Sequence, residues 1–393
     1  MDTPLSIMCF SWNASGLKLC ETMSQAKADD ARKGFKAFIT RKGPCLAPDF
    51  FEEIRANINK RKPSIVVMTT QDEDSNGTYF HSDLLPTSMP EIGYSFLKRD
   101  KLNGIGETSS GVPQLRVPTG TPRGSALRIS IYVRSELIDE FRTEEKIMDK
   151  FFDNNGQSEA TCNQGSRVSG AIASYVWHAT YGKFAFIATH LPAGLDSLKV
   201  GTKLDYPSYR VASRSSNSLC LLSIYNHLVT SLPGESRPDH IFILGDLNYD
   251  IVVPGKKNIE VVTSLTSNIT AAKLKEIQRY DELKKAMEDV PLAGFKEGVS
   301  AEGPLFMPTW RLTRGRPDSC VPAPNTTKID ASCFSQPNDA LGGVGWHDRI
   351  LYKEMMTSNY MAHCIDYNRV DVKNMHASVH AGVTAFFEMR SVV

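Results

Sequence analysis

The stretch "IFILGDLNYD", residues 241–250, runs four apolar residues straight into Asp246 and Asn248. Residues two apart share a strand face, so a carboxylate and an amide can point the same way from one strand tip. Five other apolar runs carry the same kind of tip. His190 ends "FAFIATH", Asn13 ends "SIMCFSWN", and Gln71, Asp72 and Glu73 end "IVVMTT". Asp348 stands before "RILY", and His380 stands before "AGVTAFF". Gathered on one rim, acids and amides can hold a hard divalent cation such as Mg2+, which takes oxygen ligands. Histidines there can bind or protonate phosphate. Each residue alone has a plain structural reading. Strands end in turns, a lone His190 can simply be a satisfied structural histidine, and Asp348-Arg349 can be a surface ion pair worth little.

The elements that must position these residues are visible as runs of strand length: Ser6–Trp12, Ile65–Thr70, Leu127–Val133, Ala171–Trp177, Phe184–Thr189, His240–Leu244, Arg349–Tyr352 and Val383–Glu388. Most are rich in β-branched or aromatic residues. Helical spacing occupies 49–61, 216–232 and 271–290. Strands interleaved with helices over the whole length predict an α/β (α+β) protein. Residues 101–125, 152–168 and 312–344 read as loops or insertions rich in Gly, Ser, Pro, Asn or Thr. Strand-like runs resume on both sides of each, so residues 1–393 read as a single domain with long loops.

The 393 residues carry a formal charge of +1, with 41% apolar and 23% charged residues. No global field draws nucleic acid or an anionic membrane. Eight cysteines are scattered, none at C-x-x-C spacing, which gives no zinc pattern. The N-terminus does not read as a signal peptide, no run approaches the roughly 18 apolar residues of a membrane span, and the C-terminus has no lipidation box. Reduced thiols, no disulfide framework and a cytoplasmic setting are the expectation.

Taken in order, Trp12-Asn13, Gln71-Asp72, "HLPAG" (190–194), "GDLNY" (245–249), "FKEG" (295–298), "FMPTW" (306–310), "WHDRIL" (346–351) and "SVH" (378–380) resemble the inositol polyphosphate 5-phosphatases of the exonuclease–endonuclease–phosphatase superfamily. The helix-like "YDELKKAM" (280–287) fits the same pattern. The resemblance implies a two-sheet β-sandwich flanked by helices, with its active site on one rim. It implies that Asp246 activates a water that Asn248 helps to place. Asn13 and the acid of the 71–73 stretch, Asp72 or Glu73, would hold Mg2+. His380 would contact the scissile phosphate, with Asp348 fixing its tautomer and His190 lining the same pocket. Arg311 takes the place of a family lysine that binds a neighbouring ring phosphate, and a guanidinium can grip phosphate with two bonds. Trp310, Arg349 and Arg167 complete the candidate substrate contacts.

Five positions depart from the pattern. Gln-Glu is replaced by Gln71-Asp72-Glu73, and Ser-Asp-His by Ser378-Val379-His380. Ser169 stands at a lysine position, with Arg167 on the same face as a substitute. Asp250 stands where Arg is expected, and His347 where Cys is expected. Valine supplies no ligand and no charge. Three readings follow: a Mg2+-dependent phosphatase acting on the 5-phosphate of a phosphoinositide or inositol polyphosphate, a degenerate relative that binds a phosphoinositide or a protein without turnover, and a nuclease of the same superfamily. The near-neutral charge disfavours a nucleic-acid partner. Membrane contact is expected to be peripheral at most, and the oligomeric state is not legible.

Overall fold

The computed structural model describes residues 4–14, 47–74, 80–103, 125–150, 170–191, 217–218, 220–231, 237–267, 269–288, 292, 294–313, 315–320, 329–335, 343–355, 358–370, 375 and 378–392. The strands are β1 (Ser6–Asn13), β2 (Ile65–Asp74), β3 (Tyr94–Asn103), β4 (Ser125–Arg134), β5 (Phe141–Lys150), β6 (Gly170–His178), β7 (Gly182–His190), β8 (His240–Asp246), β9 (Lys296–Glu297), β10 (Asp348–Glu354), β11 (Tyr360–Val370) and β12 (Gly382–Ser391). They form two six-stranded sheets, in the orders β11-β12-β1-β2-β4-β3 and β5-β6-β7-β8-β10-β9. The pairs β1–β2 and β7–β8 are parallel, while β1–β12 and β8–β10 are antiparallel.

The sheets pack face to face, and both outer faces are covered as well. In β1, Ile7 and Cys9 enter the core between the sheets. Met8, Phe10 and Trp12 enter a second core with Phe51, Ile54 and Ile58 of the helix Ala47–Arg61. In β8, Phe242 and Leu244 face inward, while Ile241 and Ile243 face Leu221, Ile224 and Leu228 on a helical segment outside. A strand buried on both faces reads as a continuous apolar run, which is why these strands stand out in the sequence.

The helical spacing at 271–290 resolves into two helices, Ala271–Gln278 and Glu282–Glu288. Asp281 interrupts them: it bridges to Ile251 and its side chain accepts from the Leu283 N–H at 3.2 Å, capping the second helix.

The expectation of reduced thiols is overturned at Cys320 and Cys333, which are disulfide-bonded. Cys220 is also disulfide-bonded. Sequence spacing did not reveal the first pair because their segment doubles back, with Leu312 bridging to Phe334. Disulfides persist in oxidising compartments, so the premise behind the cytoplasmic setting is gone. No described helix is long and apolar enough to cross a membrane.

Candidate active site

Period-2 alternation decides which strand-tip residues meet. Asn13 continues the inward parity of Ile7 and Cys9, His190 that of Phe186 and Ala188, Asp246 that of Phe242 and Leu244, and Asp348 that of Ile350 and Tyr352. The ladders then set the register: His190 pairs with Asp246 across β7–β8, and Asp348 pairs with Asp246 across β8–β10. Gly245 permits the first of these, because a Cβ there would lie 1.9 Å from the Thr189 carbonyl oxygen.

Asn13 joins the two sheets. Its Nδ2 donates to Asp246 Oδ2 at 2.7 Å, and its backbone N–H donates to Asp348 Oδ1 at 3.1 Å. His380 arrives from the turn before β12. Its Nδ1 lies 2.8 Å from Asp348 Oδ2, which makes the carboxylate the acceptor and turns Nε2 toward Asp246 Oδ2, 3.7 Å away. Ser378 holds this turn, donating from Oγ to the Asn13 carbonyl at 2.8 Å and accepting the His380 N–H at 3.0 Å. His190 Nε2 is also 3.7 Å from Asp246 Oδ2. Asn248 adopts a positive φ of 53°, a conformation Asn tolerates better than most residues. Its N–H donates to Asp246 Oδ1 at 3.0 Å and its Nδ2 to the Leu191 carbonyl at 2.6 Å. Asn13, His190, Asp246, Asn248, Asp348 and His380 therefore form one cluster, buried except for the half-buried His190.

Trp310 walls it. Its ring lies 4.4 Å from that of His380 and 5.1 Å from that of His347, nearly parallel to the latter at 20°. The next residue, Arg311, has its Nη1 buried with no hydrogen-bond partner among the described residues, a group that an anion could satisfy.

Burial alone would raise the Asp246 carboxyl. The imidazoles of His380, His190 and His347 and the Asn13 hydrogen bond outweigh it and hold Asp246 below the ordinary carboxylate value. Asp348 goes the other way: burial raises it, and the nearby Asp246 charge adds to that against the opposing pull of His380. Two neighbouring carboxyls pushed apart in this manner suit two tasks, one staying ionised and one sharing a proton with an imidazole.

Arg349, expected to contact substrate, lies elsewhere. It takes the opposite parity to Asp348 and is buried on the outer face. There its guanidinium grips Asp281 at 2.8 Å and Glu297 at 2.5 Å and donates to the Trp346 carbonyl at 3.1 Å. Its role is structural. Asp250, feared as a charge opposing phosphate, is buried and bound to His347 Nε2 at 2.5 Å. Arg167 and Ser169 lie outside the described residues. So do the side chains of Asp72 and Glu73, where the ladder to β4 slips between Thr70 and Glu73. Sequence reasoning missed Thr309, whose Oγ1 accepts from the N–H groups of both His347 and Asp348 at 3.0 Å. Its signal was present within "FMPTW". It also missed Asn217, whose Nδ2 donates to the Leu247 carbonyl at 3.2 Å, a contact without a sequence signal.

Among the described residues, no group of three or more His, Cys, Asp or Glu is placed to hold a metal ion. All four carboxylate oxygens of Asp246 and Asp348 accept hydrogen bonds from within the chain. The described donors alone therefore do not fit Mg2+.

A family model described as "Endonuclease/Exonuclease/phosphatase family 2" matches residues 127–386. No curated protein matches the chain. Among solved structures, the Cimex nitrophorin ferrous NO complex is similar with a TM-score of 0.53 and 17% identity, covering 99% of each chain. The single-strand DNA product complex of D. rerio TDP2 gives a TM-score of 0.43 at 13% identity, over 98% of this chain and 100% of that one. ANGEL2, a 2',3'-cyclic phosphatase, gives 0.38 at 12% identity, over 98% and 95%. The nitrophorin likeness is one of fold: two mixed sheets of six strands flanked by helices.

Proposed function

Because the chain belongs to the endonuclease/exonuclease/phosphatase family 2, whose superfamily members are hydrolases, we propose that it is a phosphomonoester hydrolase removing the 5-phosphate from a phosphoinositide or inositol polyphosphate. One observation carries the proposal: the buried Asp246 carboxylate receives Asn13 at 2.7 Å and faces the Nε2 atoms of His190 and His380, each at 3.7 Å. Phosphoester hydrolysis needs a water placed in line and positive charge at the phosphoryl oxygens. Asp246, held ionised, takes the proton of the attacking water, and Asn248 fixes its orientation. His380, steadied by Asp348, and His190 serve the phosphoryl oxygens, with Arg311 beside Trp310 for a neighbouring phosphate. The 5-phosphatase assignment rests on "FMPTW", "WHDRIL" and "FKEG".

Enzymes of this superfamily are typically divalent-metal dependent. A Mg2+ ion here would draw on Asn13 with Asp72 or Glu73 and would add positive charge at the phosphate. Residues 1–393 would act as one catalytic domain, reaching a lipid substrate by peripheral contact and taking no nucleic acid. A soluble compartment, cytoplasmic or not, satisfies this reading.

The test is phosphate release from a panel of vesicle-borne phosphoinositides and soluble inositol polyphosphates with Mg2+. Release that disappears in Asp246→Asn is expected, and no release from any member would end the proposal. A second reading, binding without turnover, is favoured by Val379, which offers no ligand next to His380. A large gain of hydrolysis in Val379→Asp would show that a metal-site defect limits the natural chain.

A further inference from the structure

Two departures from the sequence pattern lie against each other in the fold. His347 stands where Cys is expected and Asp250 where Arg is expected, and Asp250 Oδ1 is 2.5 Å from His347 Nε2. Asp250 Oδ2 accepts the Gly343 N–H at 3.1 Å, which fixes the carboxylate. The ring is fixed as firmly. The His347 N–H donates to Thr309 Oγ1 at 3.0 Å, its carbonyl accepts the Leu247 N–H at 2.8 Å, and Trp310 stacks on its face. The segment is packed so tightly that a Cβ at Gly345 would lie 2.5 Å from the Tyr249 carbonyl oxygen. The remaining ring nitrogen, Nδ1, lies 3.9 Å from Asp246 Oδ1.

This arrangement repeats the His380–Asp348 pair at the other oxygen of the same carboxylate. In both, a carboxylate holds one ring nitrogen and the second faces Asp246 at a distance too long for a direct hydrogen bond. Separations of this kind ask what lies between the groups. A phosphoryl oxygen or a water is the chemistry that fits. With Asp250 accepting from Nε2–H, a proton on Nδ1 makes the ring an imidazolium, so donor and positive charge arrive together.

We propose that His347, anchored by Asp250, is a third phosphate-binding imidazole of this site beside His190 and His380, donating from Nδ1 to a phosphoryl oxygen beside Asp246. The inference rests on the phosphoester reading above and adds a residue to it. Among the described residues, the charged and titratable groups facing His347 include Asp250 and Asp246 at and beyond the end of β8, Asp348 at the start of β10 and His380 before β12. Trp310 and Thr309 contribute none. Phosphate affinity therefore strengthens as pH falls through the imidazole range.

Calorimetric titration of the full chain with inorganic phosphate, at about pH 5.5 and about pH 8, tests it. His347→Asn should weaken binding about tenfold or more and flatten its pH dependence, and Asp250→Asn should move both in the same direction. If the variants lose their fold, nitrogen NMR of the His347 ring in the unaltered protein decides instead: phosphate must shift Nδ1. Wild-type affinity in a folded His347→Asn variant, an unmoved ring, or no phosphate binding at all would overturn the inference. The hydrolytic reading fails by a separate sign, the absence of phosphate release from every ester, while His347-dependent phosphate binding would still stand.

Discussion

Asp246 is a buried carboxylate with three imidazoles and an amide around it, and its ionisation governs two measurable properties. Burial opposes its charge, but the histidines and Asn13 win, so its folded pKa lies below its unfolded value. A depressed carboxyl contributes stability above the unfolded value, and that stability is lost as pH falls through the folded one. By carbon NMR, Asp246 should titrate below an ordinary aspartate, and a midpoint at or above that of an exposed aspartate would contradict the geometry. Asp246→Asn should lower turnover by roughly a hundredfold to ten-thousandfold, the usual worth of a general base, with the fold intact. Arg349 shows a residue scale of the opposite sort. Removing it leaves Asp281 and Glu297 buried and uncompensated, so Arg349→Met should cost about 3–5 kcal/mol of stability in denaturant melts. It should leave phosphate affinity unchanged, and a binding defect in a folded Arg349→Met protein would put the residue back in the site. Asp348 and Arg349 are both expected in the site from sequence, although strand alternation already sets such neighbours on opposite faces. What was not legible was the partner of each. Asp250 and His347 read singly as defects, and only the fold, bringing residues 97 apart into contact, shows them as a pair.

At the scale of elements, the eight apolar runs in the sequence correspond to β1, β2, β4, β6, β7, β8, β10 and β12, and the four strands they miss are β3, β5, β9 and β11. These four are the two ends of each sheet. A central strand covered on both faces must be apolar throughout, whereas an edge strand keeps polar residues. β11, "YMAHCIDYNRV", alternates buried with half-exposed and exposed positions and carries a bulge between Cys364 and Asp366. The site was legible because its residues sit at the tips of central strands. The Cys320–Cys333 bond was not, since nothing in the spacing shows that the chain returns on itself. Just before that bond in the chain, Arg316 donates from Nη1 to the Ser378 carbonyl at 2.8 Å. The Leu312 N–H donates to the Val379 carbonyl at 2.8 Å. Cross-linking residues 13 apart is worth about 3 kcal/mol. Cys320→Ser should therefore lower the melting midpoint by several degrees and, through Ser378 and Val379, loosen His380. Identical melts with and without reductant would show that the bond does not brace the fold.

For the whole molecule, the decisive quantity is a formal charge of +1 on 393 residues. Nucleic-acid binding draws its strength from neutralising many phosphates with Lys and Arg, and so weakens steeply with salt. The groups proposed to handle phosphate lie instead in one cluster of imidazoles and amides between two sheets, all buried but the half-buried His190. Buried charges are screened far less than exposed ones. Hydrolysis of a soluble inositol polyphosphate should therefore change by less than about threefold between roughly 50 and 200 mM salt, while an abasic or single-stranded oligonucleotide should not bind at about 0.15 M. Vesicles carrying a phosphoinositide should sediment the chain only weakly, as the proposed peripheral contact implies. Tight oligonucleotide binding that collapses over the same salt range, accompanied by cleavage, would move the activity to the nuclease side of the superfamily and leave the inositol phosphate assignment without support.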